Sequence, residues 1–190
     1  QVYRVSRLDL TPDARALAAS LLEEAKAHSP GYRVRQWMAP TPPEHRDGYA
    51  WLKSRMSTDA PSADLEADEE AWDADRLIAG EARLAEMGQA YQVTVAQHLE
   101  TGALAAFTEL GIGPDRTGTT HQHDTLVLKE HRGHRLGQLV KCAALLSWID
   151  VAPESTDIIT YNAEENRPML DINEAMGFTA IAYEGAWKQD

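Results

Sequence analysis

A mixed α/β fold built on a single sheet is what this sequence predicts, and three observations predict it. From residue 91 onward the segments follow the order β-β-β-α-β-α-β, which gives a sheet with both parallel and antiparallel neighbours. The strand-like segments are short and bounded by Gly, Pro, Asp and Asn. With 43% apolar residues in 190, the chain can bury one good core, with an appendage at one end.

The elements are read in order. VYRVSR near the N-terminus is strand-like, and residues 11–27 form an amphipathic helix with Pro12 in its first turn and Leu17, Leu21, Leu22 and Ala25 at helical spacing. Ser29-Pro30-Gly31 ends it. Residues 32–37 alternate as a strand, and the Pro-rich APTPPEH leads into a helix from Pro43 or Glu44 to about Ser57. The acidic stretch 59–75 resembles low complexity, but Leu65, Ala71, Trp72, Leu77, Ile78 and Leu84 predict a helix over residues 67–87 whose carboxylates form a solvated face. Residues 91–96 and 103–110 read as a β-hairpin, and a loop at 111–118 leads to a third strand at 119–129. A helix over 136–149, a short buried strand at 158–161, a helix over 168–176 stopped by Gly177, and a last strand at 178–183 complete the order. Residues 1–30 are taken as a strand–helix extension or linker and residues 31–190 as the main domain.

Composition excludes several classes. No apolar run approaches the length needed to cross a bilayer, and no secretory signal precedes the first strand. Because the chain starts at Gln1 rather than Met, an upstream segment is expected to be missing. The single cysteine, Cys142, rules out an internal disulfide or a Cys-rich zinc site and fits a reducing compartment, with the cytoplasm as default. It reads as a small buried apolar residue. A net charge of −12 opposes nucleic acid and anionic lipid; it maintains solubility and tolerates cationic small molecules.

One segment reverses that charge. A strand ending in TLVL at 125–128 passes through KEH into RGHRLG at 132–137 and straight into a helix, with Lys129, Arg132, His134 and Arg135 as local cations. Convergent backbone N–H groups and the positive end of the helix dipole make such a loop a site for pyrophosphate, and Gly133 and Gly137 let a ligand approach the backbone. The Gly-Lys-Ser/Thr ending of a P-loop is missing.

RGHRLG resembles the Arg/Gln-x-x-Gly-x-Gly/Ala loop of the GNAT superfamily of acyl-CoA N-acyltransferases, which wraps the pyrophosphate of coenzyme A. NAEENRPMLDINEAMGF at 162–178 resembles that family's second signature, an Asn ahead of a short helix closed by Gly-Phe. The resemblance covers about residues 31–190 and is particularly close to one unit, the C-terminal one, of tandem GNAT proteins. It implies a splayed central sheet flanked by helices and acetyl-CoA as co-substrate, with no metal. It also implies a small-molecule amine as acceptor, and a second unit in the same chain or a homodimer as partner. On this reading residues 1–30 are the tail of an upstream unit; an N-terminal extension of a single-domain protein is the alternative.

By the same resemblance, the cofactor is held by the main chain of Thr125, Leu126 and Val127, by the loop residues Arg132, Gly133, His134, Arg135, Leu136, Gly137 and Gln138, and by Asn162 and Asn166. A Val127 or Leu126 N–H sits near the thioester carbonyl. The family's central loop Gly is Arg135 here, so its side chain must point outward. His123 and His121 stand where the family often carries its general base, both expected on the face of Thr125 and Val127, with His123 favoured as nearer the thioester. Gln122 and Asp124 are then expected on the opposite face. Asp124 and Glu109 are read as surface carboxylates with secondary claims to the same role. The family's usual acid, a Tyr, is replaced by Asn173, which cannot donate a proton as an acid but can hydrogen-bond the sulfur; Tyr161 is the substitute. Trp37, Met38 and Met56 fall where the acceptor wall is built, while Trp51, Trp72, Trp148 and Trp187 read as core and rim. Two functions follow: an N-acetyltransferase acting on a small, cationic primary amine, or a non-catalytic acyl-CoA-binding half of a tandem protein.

Overall fold

A computed structural model describes residues 1–59 and 70–185. Its strands are β1 (Val2–Asp9), β2 (Tyr32–Met38), β3 (Ala90–His98), β4 (Leu104–Ile112), β5 (Thr117–Val127), β6 (Glu154–Ala163) and β7 (Thr179–Gly185). Its helices are α1 (Pro12–His28), α2 (Arg46–Asp59), α3 (Ala74–Glu86), α4 (Leu136–Val151) and α5 (Arg167–Met176), with short 3₁₀ turns at Pro43–His45 and Lys129–His131. The strands form one sheet in the order β2-β3-β4-β5-β6-β1-β7. Only β5 and β6 pair in parallel; every other neighbour pair is antiparallel.

The sheet is covered on both faces. One face packs Trp37, Val93, Val95, Phe107 and Leu126 against Tyr49 and Leu52 of α2 and Leu77 of α3. The other packs Leu110, Ile112 and Ile158 against Cys142, Leu145 and Trp148 of α4, with Ala18 of α1. Central strand β4 is buried at every position, which is why its sequence is apolar on both parities. Fully burying each such large side chain is worth about 1.5–3 kcal/mol, and this sets the relative placement of the helices.

Several expected boundaries move. The helix expected over 67–87 starts at Ala74, because the Asp73 side chain accepts the Arg76 N–H at 2.8 Å as an N-cap and the Trp72 N–H is held by Ser54 Oγ at 2.7 Å outside any helix. Residues 67–69 of that expectation, with Leu65 and Trp187, lie outside the described residues. The short strand expected at 158–161 extends to Glu154–Ala163, since it is paired along both edges. Trp148 is buried at 1% exposure, whereas Trp51 is on the surface.

Strand β1 lies inside the sheet, antiparallel to β6 on one side and β7 on the other. Its Val5 and Leu8 are buried, and α1 packs along α4. The strand and helix of residues 1–30 are thus structural parts of the same sheet.

Candidate active site

Parallel pairing of β5 with β6 begins at Thr117–Glu154 and ends at His121–Ile159, so the two strands part beyond that point. Past the split, β5 bonds only to β4. The Leu128 N–H donates to Ala105 O at 3.0 Å, and antiparallel alternation then turns the main-chain groups of Leu126 toward β4 and those of Thr125 and Val127 into the gap. An edge of free N–H and C=O groups is a template for an extended, amide-bearing chain.

The gap opens into a cleft of about 270 Å³ lined by Thr125, Leu126, Val127, Arg132, Gly133, Arg135, Leu136, Gly137, Asn166, Pro168, Met169 and Ile172. The two sequence signatures therefore meet in one place. At its mouth Gly133 has φ +90° and Arg135 φ 55°, and α4 starts at the next residue with no side chain capping it. Its first N–H groups remain available, and with the helix dipole they form an anion site. Close packing shapes the floor: a Cβ on Gly137 would come within 2.8 Å of Ile172 Cδ1.

Arg135 adopts the left-handed conformation expected of a Gly, and its side chain does point outward, in an ion pair with Glu24 of α1. Both partners are more than a third exposed, so the pair contributes little. Arg135→Gly is expected to relieve about 1 kcal/mol of left-handed strain and, if the loop holds coenzyme A through its main chain as the sequence resemblance implies, to leave acetyl-CoA affinity within a few-fold by calorimetry. A tenfold loss would show that the Arg135 side chain itself holds the ligand.

Of the other predicted cofactor residues, His134 and Gln138 lie outside the lining of this cleft, whereas Arg132 and Asn166, in its wall, are also tied to neighbouring elements. His134 packs against the Tyr32 ring at 5.4 Å, and Gln138 Nε2 donates to Leu21 O of α1 at 2.8 Å. Arg132 reaches the Asp59 carbonyl at 2.8 Å, tying the loop to the end of α2. Asn166 caps α5 by accepting the Met169 N–H at 3.3 Å.

A second cleft of about 330 Å³ shares Thr125 and Asn166 with the first and adds Met56, His123, Asp124, Tyr161 and Asn162, with Tyr3 at its edge. His123 and Tyr161 are brought together here. His121 neighbours it at 6.4 Å between rings but lies outside this cleft. Asn173 is buried at 1% exposure, lines neither cleft, and donates to Asn162 Oδ1 at 2.8 Å.

The face expected for the histidines is corrected. Thr125 pairs with Thr108 but Gln122 with Leu110, so β5 carries one extra residue, a bulge at His123–Asp124 opposite Glu109. Side-chain parity reverses across it. Gln122 and Thr125 both point to the α4 side, where each hydrogen-bonds Thr108, while His123 and Asp124 turn to the α2 side. Asp124 is therefore on the same face as His123, not opposite.

On that face His123 stacks at 5.2 Å from the Tyr91 ring, over Gly111, where a Cβ would come within 2.9 Å of its Nε2. This packing lowers the His123 pKa by desolvation, with further lowering from His121 and Lys53 and a counter-effect from Asp124. The imidazole is neutral near pH 7 and free to accept a proton.

Behind it lies Glu109, expected from the sequence to be a surface carboxylate and found buried instead. Glu109 is 1% exposed, bonded to the Tyr91 hydroxyl and to Lys53 Nζ at 3.2 Å. Burial raises its pKa, opposed by Lys53 and by the Tyr91 and Tyr49 hydrogen bonds. Lys53 also faces Asp124 at 3.6 Å and lies 4.9 Å from the Trp72 ring. Burial alone would lower its pKa, but Glu109 and Asp124 together raise it. Far from being a surface carboxylate, Glu109 anchors the wall beside His123.

No protein-family model and no curated protein matches this chain. Solved structures do. A tandem GNAT protein from the clavulanic acid biosynthesis pathway shares 29% identity over 94% of this chain with a TM-score of 0.65, and the chain spans only 50% of that protein's length. yncA from Salmonella typhimurium, solved with its cofactor acetyl-CoA, aligns over 80% of this chain and 82% of its own at 16% identity and TM-score 0.60. AAC(6')-Iy in complex with a CoA-based bisubstrate analog aligns over 84% and 98% at 14% identity and TM-score 0.56. At those lower identities the likeness is one of fold. The chain has the GNAT fold and resembles one unit of a tandem GNAT protein.

Proposed function

We propose that this chain is an N-acetyltransferase that moves the acetyl group of acetyl-CoA directly onto the primary amine of a small, cationic molecule, with His123 as general base. The observation that carries the reading is the shared wall: Thr125 and Asn166 line both the cleft of the phosphate loop and the cleft holding His123. A thioester lying along β5 would present its carbonyl where the second cleft opens.

The loop from Arg132 to Gly137, with the uncapped start of α4, takes the pyrophosphate. The main chain of Thr125 and Val127 takes the pantetheine amides, and of the two N–H groups expected near the thioester carbonyl, Val127's faces the gap. His123 removes a proton from the ammonium of the acceptor, and the freed nitrogen lone pair attacks the carbonyl. The C–S bond then breaks as the former amine nitrogen gives up its second proton, and that proton, passed through the Tyr161 hydroxyl in the same cleft, ends on the departing thiolate of coenzyme A. The exposed half of Asp124 and the acidic surface favour a cationic acceptor.

Residues 31–190 form the acyltransferase domain, completed by the strand and helix of residues 1–30, and a second GNAT unit or a second copy is the partner we propose. The buried single Cys142, with its thiol pushed up to about 12 by burial, supports a structural role in a reducing, cytoplasmic setting. No described helix is long and apolar enough to cross a membrane.

The test is calorimetric titration with acetyl-CoA, followed by thiol release in the presence of a panel of primary amines. Binding with amine-dependent release of coenzyme A is the expected result. Tight binding without release from any amine supports instead the alternative of an acyl-CoA-binding half, for which Asn173 in place of a Tyr is the motivating feature.

A further inference from the structure

The bulge that delivers His123 to the acceptor side is held by a side-chain chain running through the sheet core. Gln122, the residue just before the bulge, donates its Nε2 to Glu109 O at 2.8 Å, the carbonyl of the residue facing the bulge, and to Thr108 Oγ1 at 2.6 Å. Thr108 Oγ1 in turn hydrogen-bonds Thr125 Oγ1 at 2.7 Å, just after the bulge. From α4, Lys141 Nζ donates to Gln122 Oε1 at 3.3 Å. Thr108 is fully buried, Lys141 is 2% exposed and Gln122 8%.

A bulge interrupts the ladder and leaves local backbone groups to find other partners. Here one amide bridges both sides of the interruption, so the extra residue cannot slide along β5 without breaking three buried hydrogen bonds. A slip by one residue would exchange the faces of His123 and Gln122.

Lys141 is a costly choice for its place. Its ammonium is buried against Cys142, Phe178 and Gln122, with the Phe178 ring centroid 5.5 Å away, and burial lowers its pKa to about 7. Among the described residues no carboxylate pairs with it, so its one hydrogen bond is to Gln122. That bond fixes the amide rotamer: with Oε1 taken by a donor, Nε2 must face the Glu109 carbonyl.

We infer that Gln122 and Lys141 are positioning residues for acyl transfer, pinning the β5 bulge so that His123 faces the acceptor cleft while Thr125–Val127 keep their main chain along the cofactor cleft. This rests on His123 acting as the base. Neither residue lines either cleft.

The test compares Gln122→Met and Lys141→Met with Gln92→Met, a control that removes another buried amide on the same face, two strands away from Gln122 across Leu110 and bonded to Ser147 Oγ at 3.0 Å rather than to any residue of the bulge. All three should lose some thermal stability. The distinguishing readout is the NMR titration of the His123 imidazole, which needs no turnover. In Gln122→Met its midpoint should move by about half a pH unit or more as the ring changes surroundings, and in Gln92→Met it should not. With an amine found to be acetylated, Gln122→Met should lower kcat about tenfold or more with little change in KM for acetyl-CoA. Lys141→Met should do the same more weakly. An unmoved His123 titration in Gln122→Met, or an equal shift in Gln92→Met, overturns the inference. Absence of acetyl transfer in the unaltered protein would refute the proposed activity and leave the titration test to decide this one.

Discussion

Replacing His123 with alanine is expected to lower kcat for acetyl transfer by about 10²- to 10⁴-fold, the usual contribution of a positioned general base, while acetyl-CoA still binds. Binding survives because the phosphate loop and the main chain of β5 do not involve the imidazole. The pH profile gives the sharper reading. The base works when neutral, so the rate is full above its pKa and falls as pH drops through it. Desolvation by Tyr91 and Gly111 lowers that pKa from the usual 6.5, with His121 and Lys53 acting in the same direction and Asp124 opposing. The acidic limb should therefore lie below about 6.5 and vanish from the residual rate of His123→Ala. A limb that persists in the variant would move the role to another group, Asp124 or His121 being the nearest.

Lys53→Met should be the most destabilising single change near the site, by about 3–5 kcal/mol, because it leaves the Glu109 carboxylate buried without its cation. Glu109 is 1% exposed and Lys53 13% as side chains, so solvent screens neither effectively. For a chain of this size each kcal/mol moves the melting temperature by about 2–4 °C, so the loss should be plain in a thermal melt at neutral pH. Adding Glu109→Gln to Lys53→Met removes the orphan charge and should restore much of the stability. A double variant as unstable as Lys53→Met alone would mean that packing of the Lys53 stem over Trp72 and Phe107, not charge, is what was lost.

The cleft proposed to hold the cofactor was the most legible feature because each of its two segments, 125–137 and 166–172, is short and local in sequence. The loop at 132–137 and Asn166 need only a strand before and a helix after to be placed, and those are local patterns. The place of His123, the proposed base, was half legible. HQHDT alternates so regularly that parity alone puts His123 with Thr125, and a single extra residue in β5 reverses it; no residue type announces that bulge. Glu109 reads from the sequence as a surface carboxylate, although it interrupts a strand apolar on both parities, which signals burial on two faces and hence a carboxylate that must have partners. Lys53 and Tyr91, which supply those partners, belong to α2 and β3 and carry no motif. The place of β1 was hidden for another reason, since strand order in a sheet is a long-range property that local periodicity does not encode.

That placement of β1 has a consequence for biosynthesis. Residues 2–9 leave the ribosome ahead of the rest of the sheet, yet their hydrogen-bond partners are residues 154–163 and 179–185. Strand β1, which precedes the other six in sequence, is among the last to be seated, a closure of high contact order that slows folding. Asn166 and Ile172, which complete the cofactor cleft, emerge equally late. A nascent chain stalled before β6 therefore has an unsheltered Val5 and Leu8 and lacks the Asn166–Ile172 side of the first cleft, so on the proposed function acetyl-CoA would stabilise the fold only once α5 is in place.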